Sequence, residues 1–312
     1  MSACAELSTR NRALLEQMFA PDAYGRACVR HIADGVRFRL IGDTLWSGAF
    51  ANKHAWAERV FMALPRELVG PITLTAQQIL VEGDYACVRA RGTALVRNGR
   101  RYDNDYCLVY RLAAGVIVEV TEYLDTALIH HAFAAGEAEA IEPRPVPNAL
   151  ARFAAVHPAT YVSSTARHED ASSSAARAVV TQIFAAAPGT WLEACAARLA
   201  PRVQAEVMGN GALSGRYDGC EALREGCFAP LAARLDGGLT LVCDALHVQG
   251  EWVWVQARGL ARSRQGARYD SDYCLLVRVV DEAIMELIVY HDSARLAALM
   301  ATVSTVQGGP YA

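Results

Sequence analysis

The chain contains two copies of one pattern, and this internal repeat constrains its fold more than any other feature. "RYDNDYCLVYR" covers residues 101–111 and "RYDSDYCLLVR" covers residues 268–278, so that Tyr102 and Tyr269 are separated by 167 positions (269 − 102). The same spacing relates "WSG" at 46–48 to "LSG" at 213–215, and "EYLDTAL" at 122–128 to "VYHDSAR" at 289–295. A constant spacing over such a stretch indicates duplication of a whole domain, because solenoid repeats are far shorter.

Each copy is about 140 residues long, which is enough for a domain with its own core. We predict domain 1 at residues 1–140, a linker at 141–171 and domain 2 at 172–312. The linker region contains the proline-rich "EPRPVPN" and the polar "SSTARHEDASSS". Between them, "ALARFAAVHPATYV" is apolar enough to pack against a surface, so we do not expect the whole linker to be disordered.

Composition and charge exclude several classes of partner. The net charge of −3 provides no broad electrostatic footprint for nucleic acid. No apolar run approaches the roughly 20 residues of a membrane span, and the N-terminus lacks the apolar centre of a secretory signal. The nine cysteines are scattered without a CxxC motif or a metal-like spacing, which favours reduced thiols in a cytoplasm. We expect a cytoplasmic protein with no metal and no other cofactor.

Each copy places helices before a run of strands, which is typical of an α+β domain. In copy one, "RALLEQMFA" and "AYGRACVRHIA" have helical spacing, and "NKHAWAERVFMAL" reads as a helix that Asn52 could cap. Four strand-like runs follow, and Gly83, "NG" at 98–99 and Gly115 mark the turns between them. Copy two repeats this order, which predicts an antiparallel meander in each domain.

The element order, the "SG" after the first strand, the "NDYC" strand and the "EYLD" end resemble the SnoaL-like branch of the nuclear transport factor 2-like superfamily. That superfamily includes ketosteroid isomerase, limonene-epoxide hydrolase, scytalone dehydratase and polyketide cyclases. The resemblance implies two tandem cone-shaped domains, each a curved antiparallel sheet wrapped around N-terminal helices over an apolar pocket. It further implies an intrachain pseudo-dimer, and a further homodimer stays open. One fold hosts many reactions, so the resemblance is specific for the fold and not for the chemistry.

The residues of ketosteroid isomerase are not repeated here. By resemblance, its Asp base falls on Arg39 in copy one and on Glu206 in copy two, and its protonated sheet Asp falls on Cys107 and Cys274. The first helices lack the Tyr of that enzyme, which argues against steroid isomerisation by its mechanism. Cys107 and Cys274 read instead as small core residues, because a free Cys packs as a hydrophobe.

The last hairpin decides which side chains meet inside each cone. A four-residue turn at 112–115 places Asp105 opposite Glu122, and the resemblance directs the face of Cys107 toward the pocket. A three-residue turn would reverse the relation between the faces. The same register predicts five further opposed pairs: Arg111 with Val116, Asp103 with Leu124, Cys107 with Val120, Asp270 with His291 and Asp272 with Val289.

This register gives copy one a candidate pair of carboxyl groups, those of Asp105 and Glu122. By resemblance, the last-strand Asp of limonene-epoxide hydrolase falls on Glu122. If Asp105 and Glu122 oppose each other in an apolar cone, desolvation and like charge raise the pKa of one of them, so that one acts as acid and the other as base. Arg39, if it reaches the pair, would oppose this. The alternative is a solvated or ion-paired couple on the outer face of the sheet.

Copy two offers His291 in place of Leu124. If the carboxylate of Asp270 or Glu206 lies beside His291, it would raise the pKa of His291 and let this side chain transfer a proton near neutral pH. Along the same face, an apolar wall is expected from Met285, Leu287 and Val289. The alternative is a His that caps the strand end, bonded to Asp292 or to the linker.

These patterns predict a cofactor-independent acid–base enzyme for a small hydrophobic metabolite: an isomerase, cyclase, dehydratase or epoxide hydrolase. A non-catalytic binder of such a molecule and a structural dimerisation module are the alternatives. The candidate catalytic residues are Asp105, Glu122, Glu206, Asp270, Asp272 and His291. The candidate ligand-binding residues are Arg39, Trp46, Asp103, Cys107, Val120, Leu124, Cys274, Met285, Leu287 and Val289.

Overall fold

The structure, a computed structural model, describes residues 3–20, 24–134 and 171–301. It contains two six-stranded sheets, one in each half of the chain, and each sheet is accompanied by its own helices. The predicted linker lies outside the described residues except for its last position. The α+β class and the tandem arrangement are confirmed. No helix among the described residues is long and apolar enough to cross a membrane.

Domain 1 begins with two helices and ends with a short one after the sheet. The sheet has the order β2-β1-β6-β5-β4-β3, and its neighbours are antiparallel except for the parallel pair β1–β6. Its elements are α1 (Ala3–Met18), α2 (Tyr24–His31), β1 (Ile32–Leu40), β2 (Gly48–Phe50), α3 (Lys53–Trp56), a π-helical turn (Ala57–Phe61), α4 (Leu64–Glu67), β3 (Thr73–Glu82), β4 (Tyr85–Thr93), β5 (Asn104–Ala113), β6 (Val116–Tyr123) and α5 (Thr126–Ala132).

Domain 2 repeats this topology with the sheet order β8-β7-β12-β11-β10-β9. Its elements are α6 (Ala171–Phe184), α7 (Trp191–Ala196), β7 (Leu199–Val207), β8 (Gly215–Asp218), α8 (Cys220–Leu223), a second π-helical turn (Arg224–Phe228), α9 (Ala229–Ala232), β9 (Leu235–Gln249), β10 (Trp252–Ser263), β11 (Ser271–Val280), β12 (Ala283–His291) and α10 (Ser293–Ala301). Even the π-helical turn recurs at the equivalent place, so the duplication extends to local detail.

Two helix caps follow directly from the sequence. Asn52 begins α3, and its side chain accepts a hydrogen bond from the main-chain N–H of Ala55 at 2.9 Å. Asp125 begins α5 in the same way, accepting from Leu128 N at 2.9 Å. Each side chain satisfies an N–H that the first helical turn leaves without a partner.

The last hairpin of each domain turns on two residues rather than four. Ala114 and Gly115 have φ of 50° and 80°, and Asp281 and Glu282 have φ of 49° and 62°. Positive φ at both central residues is the mark of a type I′ turn, whose twist matches that of the strands. The turn therefore begins two residues later than the sequence suggested, and a bulge follows Arg111 and Arg278.

The shorter turn and the bulge together change the register by three residues, two from the turn and one from the bulge. Glu122 pairs with Leu108, and His291 pairs with Tyr273, instead of the predicted aspartates Asp105 and Asp270. Because successive side chains alternate between faces, a shift by an odd number moves every partner to the other face. The predicted oppositions in both hairpins are therefore wrong, and so is the prediction that the face of Cys107 lines the pocket.

Each sheet has an inner face against its own helices and an outer face against the other domain. The outer faces meet in an interdomain core that is almost wholly buried. Trp254 is fully buried there. The interdomain core consists of Ile41, Leu80, Cys87, Cys107, Val109, Tyr123, Met208, Trp254, Cys274, Leu276, Ile288 and Tyr290. The two domains thus form an intrachain pseudo-dimer.

Equivalent residues at the ends of the last strands cross-link the domains. Thr126 Oγ1 donates to Asp292 Oδ1 at 2.5 Å, and Ser293 Oγ donates to Asp125 Oδ1 at 2.5 Å. Thr126 and Ser293 occupy equivalent positions, as do Asp125 and Asp292, so the exchange is reciprocal. All four side chains are buried. The shared Asp of the two copies therefore has a structural role at the interface.

Candidate functional site

The candidate residues on the outer face form ion pairs at or near the domain interface. Asp105 pairs with Arg91. Arg39 donates to Asp272 at 2.6 Å, across the interface. Glu206 is likewise held by two arginines, Arg89 of domain 1 at 3.2 Å and Arg216 at 3.1 Å. The prediction that Arg39, Asp105, Glu206 and Asp272 line a pocket is therefore wrong, because the register directs them outward.

Five other candidates also lie away from the two interiors. Asp103 pairs with Arg101 at 2.7 Å, and Asp270 pairs with Arg268. The bulge leaves Met285 without a partner on β11, so this side chain does not continue the inner wall. The remaining two, Cys107 and Cys274, belong to the interdomain core.

Among the described residues of domain 1, the carboxyl on the inner face of the sheet is that of Glu122 on β6. It lies between Val120 and Leu124 on the inner face, and both neighbours belong to the domain 1 core, as does its cross-strand partner Leu108. The Glu122 side chain forms no hydrogen bond or ion pair with any residue that the structure describes. Burial in this apolar setting raises the pKa of Glu122 to about 7. Near neutral pH this carboxyl can both accept and donate a proton.

A pair of tyrosines on the same inner face lies close to Glu122. Tyr106 Oη donates to Tyr102 Oη at 3.2 Å, and Asn104 Nδ2 donates to the same oxygen at 3.4 Å. Burial and the charge of Glu122 help to raise the pKa values of both tyrosines well above the usual range. Since Tyr102 accepts from two partners, its own O–H is available to donate to a third group. Both phenols remain protonated and can act as donors.

Asn104 fixes the position of this group through the main chain. Its Nδ2 donates to the Asp125 carbonyl at 3.2 Å, and its Oδ1 accepts from the Asp125 N–H at 2.9 Å. Asn104 is fully buried. The tyrosine pair is therefore tied to the strand end that carries Glu122 and to the start of α5.

Aromatic rings surround one side of the tyrosine pair. Phe133, directly after α5, packs edge-on against Trp46 with ring centroids 5.7 Å apart and against Tyr102 at 5.1 Å. Trp46 is buried, and its Nε1–H has no acceptor among the described residues. The structure thus places Trp46 in the interior, as predicted, beside the Glu122 group.

The interior of domain 2 encloses a cavity of about 40 Å³. That volume admits two or three waters at roughly 10–15 Å³ each. Its walls are almost entirely apolar, and Val289 stands where domain 1 has Glu122. The lining includes Trp191, Leu213, Phe228, Leu275, Val289 and His291. Leu287 belongs to the core beneath it.

His291 reaches this cavity, but its protonation differs from the prediction. Burial lowers the pKa of His291, and it outweighs Asp125, Asp292 and the nearby main chain of Asp292 and Met208, which favour the charged ring. Neither ring nitrogen makes a hydrogen bond of normal geometry with the described residues. The predicted carboxylate partners lie on other faces, so the expected rise in pKa is wrong. His291 is a neutral imidazole in an apolar wall.

Sequence reasoning identified Glu122 and His291 but missed the tyrosines and Asn104. The signal was present in the repeated phrase, because Tyr102, Asn104 and Tyr106 alternate with the acidic residues and share one face of a strand. The incorrect register hid this, since it directed the acidic residues inward and the tyrosines outward.

The first part of the chain is similar to a known domain family. Residues 3–120 match the model of the SnoaL-like domain family. No match was found among curated proteins. Similar solved structures include a protein assigned as a SnoaL-like polyketide cyclase from a Jannaschia species, with 18% identity over 44% of this chain and 100% of that chain, and a TM-score of 0.37.

Two further structures show the same extent of similarity. A nuclear transport factor 2-like protein from Burkholderia thailandensis is 23% identical over 41% of this chain and 98% of its own, with a TM-score of 0.36. A Catenulispora acidiphila protein with a ketosteroid isomerase-like fold, in complex with trimethylamine, is 18% identical over 40% of this chain and 93% of its own, with a TM-score of 0.33.

Proposed function

We propose that the chain consists of two SnoaL-like domains, and that domain 1 is a proton-transfer enzyme for a small hydrophobic carbonyl compound, with Glu122 as its catalytic acid–base group. The observation that carries this proposal is the inner-face carboxyl of Glu122, which is half-buried, has its pKa raised to about 7, is unpaired among the described residues and lies next to two protonated tyrosines. Domain 2 has no carboxyl at the equivalent position, Val289.

The environment of Glu122 suits a general base at neutral pH. A base is most effective when its pKa lies near the working pH, because it is then both available and strong enough to take the proton. Glu122 reaches that range because burial desolvates the carboxyl and no cation of the described part of the chain neutralises it. An arginine in the same place would lower the pKa and remove this advantage.

Tyr102 supplies the complementary donor. When Glu122 removes a proton from the carbon next to a carbonyl, the electron pair moves to the carbonyl oxygen, and the O–H of Tyr102 stabilises the oxyanion that forms. Such a donor in a dry site contributes far more than it would in water. Returning the proton to another carbon completes an isomerisation, and attack of the enolate on a second carbonyl completes a cyclisation.

The substrate class follows from the walls around Glu122. Val120, Leu124 and Leu108 offer only dispersion contacts, and the aromatic rings of Trp46 and Phe133 favour a flat apolar body. The polar groups that converge there are the carboxyl and the phenol. A mostly apolar metabolite with one carbonyl matches that arrangement, and the proposed reaction requires no cofactor.

Exchange of substrate hydrogens for deuterium provides a direct test. Wild type and Glu122→Gln are incubated in D₂O with 2-tetralone, 3-cyclohexenone or 1-phenyl-1,3-butanedione, and exchange is followed by NMR. Limonene oxide and styrene oxide test epoxide opening by the same residue. Glu58→Gln, at an exposed surface ion pair, is the matched control. We expect exchange in wild type and control and its loss in Glu122→Gln; equal exchange in all three proteins contradicts the proposal.

A second candidate function applies to domain 2, as a binding domain for a hydrophobic small molecule. The observation that favours it is the apolar cavity with a neutral His291 and no carboxyl in its lining. A cavity of about 40 Å³ must widen to admit an organic ligand. Val289→Trp should fill it and abolish binding of a fluorescent apolar probe to domain 2 without altering exchange in domain 1.

A further inference from the structure

Three cysteine thiols converge between the domains. Cys87 Sγ lies 3.4 Å from Cys107 Sγ, and Cys107 Sγ lies 3.4 Å from Cys274 Sγ. All three sulfur atoms lie within 4.8 Å of one another, and all three residues are fully buried. Domain 1 supplies two thiols, from β4 and β5, and domain 2 supplies the third, from β11. The pseudo-dimer therefore builds a cluster that neither domain contains alone.

We propose that Cys87, Cys107 and Cys274 form a binding site for one soft, thiophilic metal ion, with Cu(I) as the expected occupant. A metal bonded to three thiolates at about 2.3 Å holds the sulfur atoms roughly 3.7–4.0 Å apart. The present separations, 3.4 Å for two pairs and at most 4.8 Å for the third, bracket that range. Rotation of the side chains suffices to reach it.

The surroundings favour a three-coordinate soft ion. The neighbouring members of the interdomain core include Leu80, Val109 and Leu276, which offer no ligand atom. Zn²⁺ in structural sites normally has four ligands, whereas thiolates select Cu(I) among the soft ions. The protons of the ionising thiols leave as the metal enters, so binding involves no electron transfer.

The guanidinium of Arg89 lies near the trio and offsets part of the charge that this would leave. Arg89 is the cross-strand partner of Cys107 and shares its face of the sheet. Arg89 and His247 both favour ionisation of Cys87 electrostatically. Glu206 and Tyr290 of domain 2 hold Arg89 in place at 3.2 Å and 3.4 Å.

A bound metal would connect the two domains, because its ligands come from both. Anything that binds the folded state and not the unfolded one stabilises it by mass action. Since the sulfur atoms are fully enclosed, loading requires a transient opening of the interface or refolding in the presence of the metal. The sequence spacing concealed the site, since its three ligands lie 20 and 167 positions apart.

The test uses the full chain with its more exposed thiols removed. Cys220→Ser and Cys243→Ser together provide this background, because these two cysteines lie outside the trio and are not buried. The protein is refolded anaerobically with Cu(I) held by a competing chelator. The thiolate–Cu(I) absorbance and luminescence are then recorded, and X-ray absorption gives the number of sulfur ligands.

We expect one Cu(I) per chain, about three sulfur ligands near 2.3 Å, and a rise of Tm by about 5 °C at a hundred-fold excess over Kd. Cys107→Ser and Cys274→Ser should each lower the affinity at least 100-fold and remove the rise in Tm. If a serine variant fails to fold, Cys107→Ala and Cys274→Ala replace it, and Cys4→Ser is the control that retains binding.

Three outcomes would overturn the proposal. One is the absence of stoichiometric Cu(I) in competition with the chelator. Another is Cu(I) affinity that persists in the folded Cys107 and Cys274 variants. The third is a wild-type chain two mass units lighter than its reduced mass, with a disulfide among the three residues, since a thiol pair oxidised in the native protein is not a metal ligand.

Discussion

Domain 1 and domain 2 share the register of every equivalent strand pair near the site, yet the polarity of their interiors differs at two positions at the end of the last strand. Glu122 and Leu124 in domain 1 correspond to Val289 and His291 in domain 2. Hydrogen bonds between backbone groups and the apolar inner faces set the register, so these side chains can change without altering the sheet. One scaffold can therefore carry a carboxyl in one copy and an apolar side chain at the same position in the other.

The donor half of the proposed site is common to both domains. Tyr102 and Tyr106 have phenol oxygens 3.2 Å apart, and so have Tyr269 and Tyr273. What domain 2 lacks is the carboxyl beside them. We therefore propose catalysis only in the domain that combines donor and base, and removing either group from either copy tests this difference.

The largest expected effect concerns the base. Glu122→Gln should lower the rate of proton transfer by about 10²–10⁴-fold, the usual contribution of a general acid or base. In wild type, kcat/KM for a carbon acid should rise as the pH increases through about 7, because the carboxylate is the active form. His291→Leu should leave both the rate and its pH profile unchanged. If the pH profile changes in His291→Leu instead, the reaction takes place in domain 2.

The donor should have the next largest effect. Tyr102→Phe should lower kcat by about 10²-fold, as removal of one oxyanion donor does elsewhere. KM should change little, since the bond strengthens as charge develops on the substrate oxygen. Tyr269→Phe in domain 2 is the matched control. If both variants lower the rate equally, the two domains are not distinguished in the way proposed here.

The Glu122 carboxyl should destabilise the folded chain at pH values where it is ionised. The pKa of Glu122 is higher in the folded chain than in the unfolded chain, so this group contributes less to stability as pH rises from about 4.5 to about 7. Glu122→Gln should therefore raise the free energy of unfolding by about 3 kcal/mol at pH 8 relative to its effect at pH 4.

Glu119, on the same strand, should change the stability with pH in the opposite direction. Partial burial raises its pKa, but its ion pairs with Arg37 and Arg111 lower it overall. Glu119→Gln should destabilise the protein at neutral pH, and the loss should fade as pH falls into the acidic range. Urea titrations of the two variants across this pH range separate the cases, and slopes of the same sign would contradict the assignment of Glu122 to the interior.

The smallest effect concerns His291. The pKa of His291 is lower in the folded chain than in the unfolded chain. As the pH drops below about 6.5, the unfolded chain therefore binds this proton more readily than the folded chain, and the free energy of unfolding falls. His291→Leu, which copies Leu124 of domain 1, should remove this loss, on the order of 1 kcal/mol. Unfolding measured at pH 5 and pH 7 checks it. An unchanged acid dependence would mean that His291 is not enclosed in an apolar wall.

The repeat, the α+β class and the caps of α3 and α5 could be predicted because they depend on local sequence. The faces of the last hairpin could not, because "LAAG" at 112–115 permits a four-residue turn or a two-residue turn followed by a bulge. The two-residue turn and its bulge place Asp105 and Cys107 on the outer face of the sheet and Tyr106 on the inner face. The thiol cluster depends on the packing of two domains, which no spacing within one copy reveals.

The central claim is that Glu122 titrates near neutral pH inside domain 1, and NMR of the carboxyl carbon tests it most directly. The chain is labelled with ¹³C at the glutamate side-chain carboxyls, and the Glu122 signal is assigned by its absence in Glu122→Gln. The account predicts a midpoint at about pH 7, distinct from that of the surface glutamates. A midpoint near the ordinary value of about 4.3 would contradict it.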